Sequence, residues 1–337
     1  MAKPIPKIKA DRCARTVHAG SRHQARGAGS KANLSVGELQ HGVSPNDGGS
    51  LLEARRRIQS VISMARGYPR LSVEICLSYF DNDCRDATVT ALTLAAAQSL
   101  SIAGDVRANL QRHLTFMRVA AEHAVQLLVF PELSLTGYEP CLAAELAITP
   151  EDKLLAPLRE MARELRLTAV VGMPIRLAPE AGVMIGALVL GADGSLAVYT
   201  KQHLHPGEEA AFIAGQGGAV LEWVDDRIAL AVCADFSHAS HPHAAAEAGA
   251  TVYAASVLIS EAGYATDSTL LQGYAAKHGL LVLMANHGGP SGGYVCAGRS
   301  AIWAAGGRLL AAAPGVGDAL VLARREGGEW AGQVVVV

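Results

Sequence analysis

Three side chains able to attack, deprotonate or polarise a bond stand where apolar runs end. Glu132 follows Leu127-Leu128-Val129-Phe130-Pro131, Lys201 follows Val198-Tyr199-Thr200, and Cys233 follows Ile228-Ala229-Leu230-Ala231-Val232. Layered α/β proteins place their chemistry at the ends of such buried strands. A cysteine nucleophile needs one group to take its proton and another to stabilise the oxyanion formed on attack. Glu132 can be that base and Lys201 the electrostatic partner. A histidine can serve as the base instead, and the nearest to the cysteine are His238, His241 and His243. Each residue alone also has an ordinary role, as a solvated loop acid, a surface cation and a small core residue. Asp235 with the three histidines offers metal ligation as a competitor, although the H-x-x-H-x-H spacing matches no standard zinc pattern.

These residues need a scaffold, and the hydrophobic pattern supplies one. From about Thr88 the texture becomes apolar, and Val89 to Ala95 leads into Gln98 as a first strand. Asp105 can cap a helix with Leu110, Leu114, Met117 and Ala121 on one face. The continuous run 127–130 is the mark of a strand buried on both sides. Helix then strand recurs, with Leu154, Leu158, Met161 and Leu165 followed by Ala169–Met173. Hairpins are expected at Met184–Leu190 with Ser195–Tyr199, and at Ala301–Ala304 with Arg308–Ala312, each joined by glycine-containing turns. Ile228–Val232, Thr251–Ala255 and Leu280–Ala285 read as further buried strands, with helices after Pro242 and over 270–278. The sum is a layered α/β fold. No strand is followed by GxGxxG, which disfavours a dinucleotide-binding arrangement.

Composition excludes several classes. Half of the 337 residues are hydrophobic and 18% are charged, so the chain as a whole is neither disordered nor fibrous. Residues 1–70 hold 13 of the 29 Lys and Arg but only 4 of the 31 Asp and Glu, so the rest of the chain is acidic. An acidic body repels phosphate backbones, and nucleic acid is not an expected partner. No apolar run approaches the roughly 18 residues that a membrane span needs. The cysteines at 13, 76, 84, 141, 233 and 296 form no CxxC pair, and reduced thiols and a cytoplasmic location are expected. Residues 1–35 are basic in the manner of transit peptides, but Pro4 and Pro6 spoil an amphipathic helix. Residues 1–85 are therefore read as a basic, largely disordered extension, with a short helix allowed at 51–64, and residues 86–337 as the catalytic domain.

Three segments in order, LLVFPELSLTGYEP, VYTKQHLHPGEEAAFIAGQGG and IALAVCADF, resemble the signature segments of the nitrilase superfamily, the carbon–nitrogen hydrolases. The likeness runs over roughly residues 88–325, including NHGGPSGGYVCAGRSAIWAAGGRLLAAAPG, and leaves out the first 85 or so. It implies a four-layer αββα sandwich that dimerises to αββα-αββα. The implied chemistry is hydrolysis of a small amide through a cysteine thioester, with no metal and no organic cofactor. By the same resemblance Glu132 is the general base, Cys233 the nucleophile, and Lys201 the oxyanion stabiliser together with the backbone N–H of Ala234. A further family glutamate lies ahead of a Phe-x-x-Gly turn; Glu208, four residues before Phe212, is the choice and Glu209 the alternative.

Ala234-Asp235 stands where true nitrilases carry Trp-Glu, which resembles the amidase and carbamoylase branches. Where several relatives place a carboxylate-gripping arginine, this chain has Ser237 and His238, so a carboxylate-bearing substrate is not implied. Tyr138, Phe236 and Ser256 sit beside the same strand ends and are read as lining a substrate pocket, each with a packing or backbone-satisfying role as the alternative. Two other functions fit the same residues. One is a silent binding scaffold, suggested by the unusual N-terminal arm, and the other is acyl transfer to an amine in place of water.

Overall fold

Side-chain alternation along two sets of short strands decides the layering. The computed structural model describes residues 91–337 except Val224. Its first half runs β1 (Leu92–Gln98), α1 (Val106–Glu122), β2 (Leu127–Val129), the single turn α2 (Ala143–Leu146), α3 (Ala156–Leu165), β3 (Thr168–Ile175), β4 (Met184–Leu190) and β5 (Leu196–Thr200). The second half runs β6 (Leu221–Glu222), β7 (Arg227–Val232), α4 (Ser240–Glu247), β8 (Val252–Val257), α5 (Tyr264–His278), β9 (Leu281–Asn286), β10 (Ala301–Trp303) and β11 (Leu309–Ala312). Two last strands, β12 (Ala319–Glu326) and β13 (Glu329–Val336), return to the first half.

One sheet has the order β13-β12-β1-β2-β3-β4-β5 and the other β11-β10-β9-β8-β7-β6. Each has three parallel strands at its heart, β1-β2-β3 and β7-β8-β9, with antiparallel neighbours outside. Leu94 and Ala96 of β1 and Ile185 and Ala187 of β4 share one buried cluster with Leu230 and Val232 of β7 and Leu283 of β9. That cluster is the layer between the sheets. The intervening residues Ala95, Ala97, Leu128 and Val171 pack against Leu110, Leu114 and Met117 of α1 and Leu158 of α3. On the far side Ala231, Tyr253, Ala255 and Val282 pack against Leu271 and Ala275 of α5 and Ala245 of α4. Helix, sheet, sheet, helix is the resulting order, a four-layer αββα sandwich. Covered on both faces, β1, β3, β4, β8 and β9 are buried along their whole length and are accordingly apolar at nearly every position.

Local signals hold at α1, where the Asp105 side chain accepts from the Ala108 N–H at 3.0 Å. The apolar stripe there ends on Ala120, which is fully buried, whereas Ala121 is only partly covered. The expected strands end at residue 312, yet β12 enters the first sheet directly beside β1, pairing Gln98 with Ala319 and Leu92 with Arg325. Its apolar run is short and closes on Arg324-Arg325-Glu326, which masks it in the sequence. Arg325 is tolerated in a buried strand because it grips Asp226 through both nitrogens, at 3.0 and 2.7 Å. The extension expected over 1–85, its short helix and the boundary at 86 lie outside the described residues.

Candidate active site

Glu132 is held by its backbone before its side chain does anything. The chain leaves β2 with the Phe130 N–H donating to Val170 O at 2.9 Å, and it turns sharply after Pro131, where Leu133 adopts a left-handed φ of 52°. This turn lies directly on β3: a Cβ placed on Gly172 would sit 2.3 Å from Leu133 N and 2.6 Å from Pro131 O. Only glycine permits that approach. Ser134 Oγ accepts from the Gly172 N–H at 3.2 Å and lies 2.9 Å from His113 Nε2. His113 Nδ1 donates to the Asn109 carbonyl at 2.7 Å, so a neutral ring leaves Nε2 to accept from the serine hydroxyl. Immediately after β9, His287 Nε2 donates to the Glu132 carbonyl at 2.7 Å.

The Glu132 carboxylate meets a cation. Lys201 leaves β5 with its own N–H donating to Ile185 O at 2.9 Å, and its Nζ donates to Glu132 Oε1 and to Glu208 Oε1, both at 2.7 Å. All three side chains are essentially excluded from solvent. Glu208 Oε1 also accepts from the Tyr138 hydroxyl at 2.7 Å, and its Oε2 accepts from the His205 N–H at 2.8 Å. Glu209, its neighbour, is exposed and accepts instead from the Gly207 N–H. Burial would favour a neutral lysine, but the charges of Glu132, Cys233 and Glu208 outweigh it and hold the ammonium well above its ordinary range. Burial raises the Glu132 carboxyl, Lys201 draws it back down, and Glu208 adds to the rise. Its second oxygen, Oε2, is buried without a hydrogen-bond partner. A raised carboxyl beside the Cys233 thiol can accept and return a proton.

Cys233 ends β7 at the first position of a short 3₁₀ turn, Cys233–Ser237, with φ at 45°. A non-glycine residue in that region carries backbone strain that its surroundings must hold in place. Its Sγ donates to Leu258 O at 3.7 Å. The thiol is pushed upward by burial first and by the Glu132 charge next, against the pull of Lys201. The three charged groups therefore act directly on the sulfur. A thiol held protonated beside a raised carboxylate suits proton transfer at the moment of attack, in place of a standing thiolate.

The remaining expected residues divide. Tyr138 faces the cluster through Glu208, and Ala234 follows the cysteine in the buried turn. Phe236 packs in the core between the second sheet and its helices, and its carbonyl accepts from Tyr274 OH at 2.8 Å. Ser256 is buried, and its hydroxyl donates across to Phe130 O at 2.7 Å. Among the described residues no group of three His, Cys, Asp or Glu is placed to hold a metal ion. His238 stacks on His203 at 3.9 Å between ring centroids, His241 lies 2.8 Å from the Tyr199 hydroxyl, and His243 sits 3.4 Å from Glu247. Two polar residues close to the cluster were given no part in the site by the sequence reading: His287, which lies in a segment of the family likeness without a role of its own, and Asp235, read there as a metal ligand or a branch marker. An acidic residue two positions after the cysteine, in an otherwise apolar stretch, was the available signal.

The carbon–nitrogen hydrolase family model matches residues 93–327. An omega-amidase of Yersinia enterocolitica is 31% identical over 149 residues, 44% of this chain and 56% of that protein. A glutamine-dependent NAD(+) synthetase of Thermotoga maritima is 28% identical over 168 residues, 48% of this chain and 29% of that one. The chain thus spans about half, or less, of the curated relatives it matches. Solved structures of an amidase from Nesterenkonia sp. AN1 cover 70% of this chain and at least 90% of their own at a TM-score of 0.64, with 28–29% identity. In one, the acetamide moiety of fluoroacetamide is attached at the active site cysteine, and another is a complex with butyramide. The family match over most of the described residues, on a four-layer sandwich like that of the amidase, makes this chain a member of the carbon–nitrogen hydrolases of the nitrilase superfamily.

Proposed function

We propose that the protein hydrolyses a small amide, with Cys233 as nucleophile, Glu132 as proton carrier and Lys201 as oxyanion stabiliser. The observation that carries this reading is the buried Glu132–Lys201–Glu208 cluster, with both ion pairs at 2.7 Å, acting on a thiol at a strained strand end. Glu132 takes the thiol proton as sulfur bonds to the amide carbon, and the carbonyl oxygen becomes an oxyanion. The Lys201 ammonium and the Ala234 N–H stabilise that charge. Collapse breaks the C–N bond, and the proton held by Glu132 leaves with ammonia or an amine. Glu132 then takes a proton from water, the oxygen attacks the thioester carbon, and the thiol recovers its proton as the acid departs. Glu208, anchored by Tyr138 and the His205 N–H, keeps the ammonium in place from behind.

Chemistry of this kind calls on no resident metal or organic cofactor. A cytoplasmic homodimer remains our expectation, the free thiols at Cys141, Cys233 and Cys296 suiting a reducing compartment. The relatives' names and ligands point to short amides as the first substrates to try. Ammonia release should be measured over amides, ureido compounds and nitriles, with Cys233→Ala as the control. Release from amides that vanishes in the variant, without loss of thermal stability, is the expected result. Undiminished release by the variant would overturn the assignment, and a panel inert throughout would favour a silent scaffold.

A further inference from the structure

The strands that carry Lys201 and Cys233 belong to different sheets, β5 to one and β7 to the other. One carboxylate joins their exits. Asp235 is fully buried, and its Oδ1 accepts from the backbone N–H groups of Gln202 at 3.0 Å and His203 at 2.8 Å, with His203 Nδ1 at 3.1 Å. Its Oδ2 accepts from the Val232 N–H at 3.1 Å and from the Tyr199 hydroxyl at 2.7 Å. Tyr199, Gln202 and His203 bracket Lys201 on both sides, Val232 immediately precedes Cys233, and Asp235 itself belongs to the cysteine turn.

Burying a carboxylate among mostly neutral donors is costly unless each oxygen is satisfied, and here both are. The arrangement does what hydrophobic packing at this spot cannot: it fixes the register of the lysine loop against the cysteine turn at the level of single N–H groups. It also braces the left-handed φ at Cys233, because the Val232 N–H is tied down just before that residue. Resting on the hydrolase reading above, we propose that Asp235 is a positioning residue that sets the Lys201 ammonium against the Cys233 sulfur. It touches neither substrate nor the reacting atoms. Its action is to make the distance between cation and nascent oxyanion a fixed property of the fold.

The geometry specifies which substitution matters. Asp235→Asn keeps one acceptor oxygen for the Gln202 and His203 N–H groups but turns an amide NH₂ toward the Val232 N–H, donor against donor, while the Tyr199 hydroxyl must reverse and accept. Tyr199→Phe removes a single donor and leaves the carboxylate in place. With the full chain, kcat and KM should be measured on an amide that the wild type hydrolyses, together with the pH midpoint of Cys233 alkylation by iodoacetamide. A misplacement of about 1 Å costs on the order of a hundredfold. Asp235→Asn is accordingly expected to lower kcat about a hundredfold with KM within about threefold. The alkylation midpoint should move upward, because Lys201 normally draws the thiol down. Tyr199→Phe should show the same pattern at about three- to tenfold, and decides the matter alone if Asp235→Asn does not fold.

Wild-type kcat and an unmoved midpoint in folded Asp235→Asn, or in Tyr199→Phe where that variant decides, would overturn the proposal. So would a loss fully explained by a smaller fraction of titratable Cys233, since that is instability and not misplacement. A wild type that hydrolyses no amide sinks the hydrolase reading instead, and the alkylation midpoint then tests the clamp by itself.

Discussion

His287 Nε2 donates to the carbonyl of Glu132 at 2.7 Å, while its own Nδ1 is buried without a hydrogen-bond partner. The turn that carries the carboxylate is thus gripped by a ring that must stay neutral, with His113 supporting the same turn through Ser134. Burial pushes both imidazoles down from the ordinary 6.5 to about 4.

This sets a pH dependence of stability. The unfolded chain binds these two protons near 6.5 and the folded chain near 4, so the contribution is intact above about 6.5 and is lost as pH falls toward 4. Each histidine contributes a slope of about 1.4 kcal/mol per pH unit within that window. Denaturant unfolding at several pH values should show the slope, and His287→Gln, which keeps a side-chain donor, should flatten it by one histidine's share. Parallel curves for variant and wild type would remove His287 from the account.

Glu132→Gln separates two effects that usually travel together. The carboxylate's charge is the second largest cause of the raised thiol, and Lys201 remains when it is removed. The alkylation midpoint of Cys233 should therefore move down, while amide hydrolysis falls by roughly 10²- to 10⁴-fold for want of a proton carrier. A midpoint that rises in this variant would mean that Glu132 assists the thiolate and does not oppose it.

Gly172→Ala tests the floor beneath the Glu132 turn. The added methyl meets backbone atoms of Pro131, Leu133 and Ser134, none of which can swing aside as a side chain would. Overpacking of this kind costs about 1–3 kcal/mol, and the Leu135 N–H bond to Gly172 O at 3.0 Å should break with it. Unfolding midpoints and kcat should fall together; unchanged kcat in the folded variant would show that the turn's position is immaterial to the chemistry.

Removal of residues 1–80 tests the division of the chain proposed at 85/86. The family match begins at residue 93 and the first sheet at Leu92. Melting temperature is expected to stay within about 3 °C, which corresponds to less than about 1 kcal/mol for a domain of this size, with kcat retained. A larger drop would place the boundary elsewhere.

The amino-acid sequence by itself determined the layered α/β class and the strand ends on which Glu132, Lys201 and Cys233 stand. Those are local matters: a strand covered on both faces must be apolar residue after residue, and a covering helix must repeat its apolar face every three to four. The hairpin expected from Met184 to Tyr199 emerged as β4, buried throughout, and β5, joined across the Gly191–Gly194 turn. Tertiary structure alone decided the partners. Glu208 and Glu209 are neighbours of one chemistry, yet only Glu208 is buried against Lys201. Asp235 read as a candidate metal ligand until the stacking of two sheets brought Tyr199, Gln202 and His203 onto its oxygens. β12 hid behind its arginines until Asp226, 99 residues earlier, came within reach of Arg325. Periodicity records how each segment meets apolar surroundings, whereas hydrogen bonds and ion pairs between distant segments depend on register and on the packing of one sheet over the other, which no local pattern encodes.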